Sequence, residues 1–231
     1  MRKSAARHIG ALRKAHQSLQ GLYEKFDQTP ADFKDLQPEF PHPRYYTSLD
    51  GNNHECFRYI RTLGASNLLF VVKTDAGEQL CVKFVRTYAW TVHQQCTAWG
   101  IFPSLRGFNA VPGGWYMVVM DLLEGYECLY DIKYRLSHEE KKSLRGELRS
   151  KLTDLHKMNL VHGDVRDVNV MVRKDRSGWS LVDFDWSGKI GEVRYPMNVN
   201  HGLGLRRPEG ALDGELILAD HDIEMLDHLF Y

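Results

Sequence analysis

The chain has 231 residues, 43% of them hydrophobic, 26% charged and 11% aromatic, a composition that suits one globular core with room for an appendage. Thirty basic residues balance thirty acidic ones, so no overall field recruits nucleic acid or an anionic membrane. No apolar run approaches the roughly eighteen residues of a membrane span, no apolar signal core opens the chain, and Cys56, Cys81, Cys96 and Cys128 lack CxxC spacing, which argues against zinc and a disulfide framework.

The chain therefore reads as soluble and intracellular, cytoplasmic or nuclear. Residues 1–28 place Ile9, Leu12, Leu19, Tyr23 and Phe26 at about helical spacing, with Arg2, Lys3, Arg7, Arg13 and Lys14 off that line. This predicts a helix, either packed on a domain or solvated. Because no acid precedes Glu24, a mitochondrial presequence is the alternative. Pro30, Pro38, Pro41 and Pro43 then interrupt any helix, so residues 1–54 are read as a helix plus a proline-rich linker.

Three strands are expected between residues 55 and 86, the last two joined by a turn at Asp75, Ala76 and Gly77. The third alternates Leu80, Val82 and Phe84, and carries Lys83 in its middle. Residues 87–100 read as a helix, and residues 113–125 as a buried strand running into a polar exit at Asp121, Leu122 and Leu123. Ser137 with Glu140 makes a capping box, after which Leu144, Leu148, Leu152 and Leu155 recur on one helical face. Such a leucine stripe is core packing.

The chain is organised around residues 160–188. Two apolar runs, 168–172 and 179–182, flank the charged turn at 174–178, which predicts a short hairpin with acids at both mouths. His162, Gly163 and Asp164 precede it, Asn169 enters it, and Asp183, Phe184 and Asp185 leave it. A carboxylate, an amide and a second carboxylate on one rim are the groups phosphoryl transfer requires, one to orient a hydroxyl and two to hold a divalent cation.

The order HGD, four residues, N, and then DFD resembles the catalytic and metal-binding loops of the protein-kinase-like superfamily, in the form found in fungal-type and atypical kinase-like domains. The resemblance spans about residues 55–230. It implies an α+β, two-lobed fold, with a small β-rich lobe and hinge over 55–124 and a shortened, mainly helical lobe over 125–231. It also implies ATP and Mg2+ as cofactors and a protein serine or threonine hydroxyl as acceptor. Residue by residue, Asp164 matches the catalytic base, and Arg166 stands where protein kinases keep a lysine near the transferred phosphate. Asn169 and Asp183 match the metal ligands, and Lys83 the lysine that contacts the phosphates. Gly64 opens the phosphate-covering turn, and Asp121 and Leu123 fall where the hinge backbone meets adenine. Asp222 matches the acid that supports the catalytic loop.

Several positions depart from the pattern. Gly163 replaces the arginine of HRD, Asp185 the glycine of DFG, and Arg207 the alanine of APE before Pro208 and Glu209. The turn of residues 64–67 holds one glycine where the family has three. No Asp or Glu lies between Lys83 and Asp121, so the helix after Lys83 offers Thr91, His93, Gln94 and Gln95 in place of the usual glutamate. These departures keep two other readings open: an inactive pseudokinase that serves as a binding module, and a phosphotransferase acting on a small alcohol such as an aminoglycoside or choline. The short second lobe would leave a face for a partner or for self-association.

Overall fold

The computed structural model describes residues 2–27, 40–64, 68–202 and 205–230, with side chains described for the same residues except 2–8 and 22–27. The chain divides into two compact units, Met1–His42 and Pro43–Tyr231. The first contains helix α1 (Arg2–Asp27), in which Ile9, Leu12 and Leu19 are exposed. Tyr23 and Phe26 of the expected stripe lie outside the described side chains. Among the described residues no helix is long and apolar enough to cross a membrane.

The second unit opens with strands β1 (Tyr45–Thr47), β2 (His54–Thr62), β3 (Leu69–Thr74) and β4 (Gln79–Val85), followed by helix α2 (Trp90–Thr97) and strands β5 (Leu105–Val111) and β6 (Trp115–Asp121). The strands form one antiparallel sheet in the order β1-β2-β3-β4-β6-β5. Period-2 alternation divides the β4 side chains. Phe84 joins a buried ladder of edge-on rings through Phe70, Tyr59 and Phe57. Cys81 and Val85 face the other way, toward Leu105, Val118 and Met120, and Lys83 shares their parity.

The sheet curls until its edges meet. Ser48 bridges to Gly107, and the Asn109 amide accepts from the Thr47 N–H at 3.1 Å and donates to the Thr47 carbonyl at 3.3 Å. Gly107 is required by this approach, since a Cβ there would lie 2.7 Å from the Tyr46 ring and 2.8 Å from the Thr47 carbonyl oxygen. The sequence alone marks no strand over 45–47 or 105–111; these are the two edges that close the sheet.

The helical half follows: β7 (Tyr126–Cys128), the short α3 (Leu129–Ile132), α4 (His138–Lys157), β8 (Leu160–Val161), the hairpin β9 (Val170–Arg173) and β10 (Trp179–Leu181), β11 (Gly188–Lys189) and α5 (Ala219–His228). The Ser137 hydroxyl accepts from the Glu140 N–H and the Glu140 carboxylate from the Ser137 N–H, so the α4 capping box is complete. Leu144, Leu148, Leu152 and Leu155 are all buried and pack with Leu129, Val170, Phe184 and Leu226; each contributes roughly 1.5–3 kcal/mol of burial. The predicted hairpin pairs Trp179 with Val172 and Leu181 with Val170.

Candidate functional site

The loop after β8 is fixed from beneath by α5. The buried Asp222 carboxylate accepts from the backbone N–H groups of His162 at 2.9 Å and Gly163 at 2.8 Å, and bonds His156 Nε2 at 3.0 Å. Gly163 has φ +87°, and a Cβ on it would sit 2.6 Å from the Trp186 carbonyl oxygen. Any side chain there meets both backbone strain and a clash. An arginine in this position would push the loop off the DFD segment.

This loop holds Asp164 at 4% exposure. Its carboxylate receives Arg166 at 2.5 Å, Arg207 at 3.1 Å and Asn169 Nδ2 at 2.9 Å, and the same amide also donates to the Asp164 carbonyl at 2.9 Å. Arg207 comes from a residue 43 positions away. It donates through Nε to the Asn200 carbonyl, lies over the Trp186 ring at 4.7 Å and is buried. Arg166 Nε and Arg207 Nη1 are buried without a hydrogen-bond partner.

The second half of the site is set by Phe184, the most voluminous of the fully buried side chains. Its ring stacks on His93 of α2 at 4.5 Å and 9° and lies 5.5 Å from Phe102 and 5.4 Å from His162. His93 is bonded to the Tyr88 hydroxyl at 2.8 Å and to the Pro103 carbonyl at 2.7 Å. Burial depresses it to about pKa 4. Val182 donates to the Asn169 carbonyl, and Asp183 follows with φ +74°. That turn directs Asp183 and Asp185 to one side of the inward-facing Phe184.

Both carboxylates meet Lys83. Its Nζ lies 2.7 Å from Asp183 Oδ1 and 2.7 Å from Asp185 Oδ1. Burial works to lower the Lys83 pKa, but the two carboxylates outweigh it and hold the ammonium above its ordinary value. Burial opposes ionisation of Asp183 as well, and Lys83 overcomes it, keeping this carboxyl below the usual range. Asp185 is pushed up to about 7 by burial and by the charge of Asp183. Helix α2 supplies no partner for Lys83. Thr91, Gln94 and Gln95 are exposed, and both ring nitrogens of His93 are engaged elsewhere.

A cleft of about 550 Å³ is lined by Lys83, Met120, Asp121, Leu123, Asn169 and Asp183, among others. Asp164 and Arg166 are not on its wall; they connect to it through Asn169. The Asp121 carboxylate is paired with Arg106 at 2.5 Å, and its N–H donates to the Ser104 carbonyl. Among the described residues no hydrogen bond uses the Leu123 N–H. Gly64 has φ +79° beyond β2, while the rest of the expected phosphate-covering turn, residues 65–67, lies outside the described residues.

The donors suit a hard divalent cation bound jointly with phosphate. Asp183 and Asn169, both oxygen-bearing side chains, line the cleft, and Asp183, Asp185 and Lys83 together leave one unit of negative charge uncompensated when both acids are ionised. Among the described residues no three His, Cys, Asp or Glu side chains form a self-sufficient metal cage. Magnesium characteristically takes one or two carboxylates and completes its octahedron with phosphate and water.

No family model matches the sequence, and no curated protein matches it. Solved structures do. The kinase PK-1 of Cydia pomonella granulovirus superposes with a TM-score of 0.61 at 21% identity, over 74% of this chain and 65% of its own. The fold is that of a protein kinase. Vaccinia related kinase 3 matches with a TM-score of 0.59 at 15% identity, over 85% of this chain and 69% of its own. The chain thus spans about two thirds of the length of either kinase. With a β-rich first part and a mainly helical second part, the α+β, kinase-like two-lobed architecture expected from the sequence is the one observed.

Proposed function

We propose that the chain is an ATP- and magnesium-dependent phosphotransferase of the kinase-like type, with HGD and DFD loops resembling those of fungal-type and atypical kinases, acting on a serine or threonine hydroxyl of a protein. The observation that carries the reading is the convergence of Lys83, Asn169 and Asp183 on one cleft, with Asp164 joined to it through Asn169. Magnesium, when bound, neutralises phosphate charge and fixes the γ-phosphoryl group for in-line transfer. Asp183 and Asn169 would hold it. Lys83 would contact the nucleotide phosphates, and the backbone at Asp121 and Leu123 would meet adenine. Asp164 would take up the acceptor hydroxyl, and Arg166 would balance charge on the moving group.

Titration calorimetry of ATP with and without magnesium, into the wild type and into Asp183→Ala, tests the reading. Magnesium-dependent binding that the variant loses supports it; no binding in any condition rejects it. A second reading, a nucleotide-binding module without turnover, draws on the engagement of both Asp164 oxygens by guanidinium groups. Phosphate transfer to a panel of proteins and of small alcohols separates it from catalysis, and separates protein from small-molecule acceptors.

A further inference from the structure

An ammonium at 15% exposure needs a counter-charge to be held in place. In active protein kinases that charge is a glutamate on the helix after the lysine strand, and here residues 84–120 contain no acid. Among the described residues the carboxylates within pairing distance of Lys83 are Asp183 and Asp185, both at 2.7 Å. They are not equivalent. Asp183 faces the cleft with Asn169 and is the acid a divalent cation would draw away from the lysine. Asp185 is two residues on, is not on the cleft wall, and stands where kinases have a glycine whose lack of side chain leaves no such partner.

We infer that Asp185 is the positioning residue for Lys83, supplying from the DFD segment the counter-charge that protein kinases take from the helix. The inference rests on the phosphotransferase reading for its consequence, since the purpose of a fixed Lys83 is to meet phosphate. It also removes a moving part. When the glutamate sits on a helix, that helix must swing in to complete the ion pair. Here the lysine's partner and the metal ligand share one three-residue segment, already anchored by Phe184 on His93 and Phe102.

The test is a double-mutant cycle with Lys83→Met and Asp185→Asn, read in two ways. In urea unfolding, the pair should show a coupling of about tenfold in the unfolding constant. Should Asp185→Asn alone fail to fold, recovery in the double variant reports the same coupling. Additive losses, or no recovery, overturn the pairing. In calorimetry, Asp185→Asn should weaken magnesium–ATP about tenfold and leave adenosine unchanged, with no further loss in the Lys83→Met background. An equal loss in that background would mean that Asp185 acts directly on metal or phosphate, and would overturn the positioning role. Intact coupling in a wild type that binds no ATP would reject the phosphotransferase reading and reduce Asp185 to a structural counter-ion.

Discussion

Two carboxylate clusters, one on the cleft wall and one joined to it through Asn169, are built with opposite imbalances. Asp164 is a single carboxylate held by two guanidinium groups; at Lys83 a single ammonium is shared by two carboxylates. The first centre therefore carries a surplus positive charge, and the second a surplus negative one once Asp185, pushed up to about 7, is ionised. Each surplus calls for the ligand that phosphoryl transfer would bring to it, an anionic phosphoryl group beside Asp164 and a divalent cation beside Asp183.

The sharpest way to break this comparison is to remove one acid from each side. Asp164→Ala should lower phosphate transfer by roughly 10²- to 10⁴-fold while sparing ATP binding, whereas Asp183→Ala should abolish the magnesium-dependent part of that binding. If both variants lose nucleotide equally in calorimetry, the two centres do not divide the work. Next in size is the support of the Asp164 loop. Asp222→Ala leaves two buried N–H groups without an acceptor and should cost about 3 kcal/mol in urea unfolding. It should also depress transfer, because the loop loses its anchor. Gly163→Ala should cost about 2 kcal/mol, from a left-handed backbone and the contact with the Trp186 carbonyl, and adenosine affinity in this variant should stay near that of the wild type.

A pH-dependent effect lies on the other side, under Phe184. His93 binds a proton in the unfolded chain near pH 6.5 but in the fold only near about 4. Its contribution to stability is therefore complete above pH 6.5 and is lost as pH falls from there toward 4, at no more than about 1.4 kcal/mol per pH unit. His93→Phe should flatten that part of the curve. Urea midpoints at pH 7.5, 5.5 and 4.5 in both proteins measure it, and parallel curves would show that His93 is not the titrating group.

What could be read from the sequence was local. The alternation around Lys83, the capping box at Ser137, the leucine face of α4 and the hairpin after Asn169 each follow from neighbours a few residues apart, and each is in the structure. Asp222 was found because it falls thirteen residues after Glu209, where the resembling family begins a helix with such an acid. The missed features are pairings across long stretches of chain. Arg207 reaches Asp164 across 43 residues, and Lys83 reaches Asp185 across 102. Nothing in periodicity marks which of many charged residues will be the one in range. The available signal was substitution in a motif: an aspartate at the DFG glycine and an arginine at the APE alanine are the two departures that turn out to touch Lys83 and Asp164. The edge strand β1 was hidden for another reason. Pro41 and Pro43 mark a break in helix, which is equally compatible with a linker and with the start of a short edge strand.

The burial of Phe184 has a consequence for pharmacology. Compounds that compete by displacing that ring and settling in the space beneath it would have to unstack His93, strip the Phe102 and His162 contacts and drag Asp185 off Lys83 in one movement. Ligands for this cleft are better sought among flat heterocycles that remain between Met120 and Leu123. Cys81 also lines that cleft, its thiol pushed up to about 12 by burial.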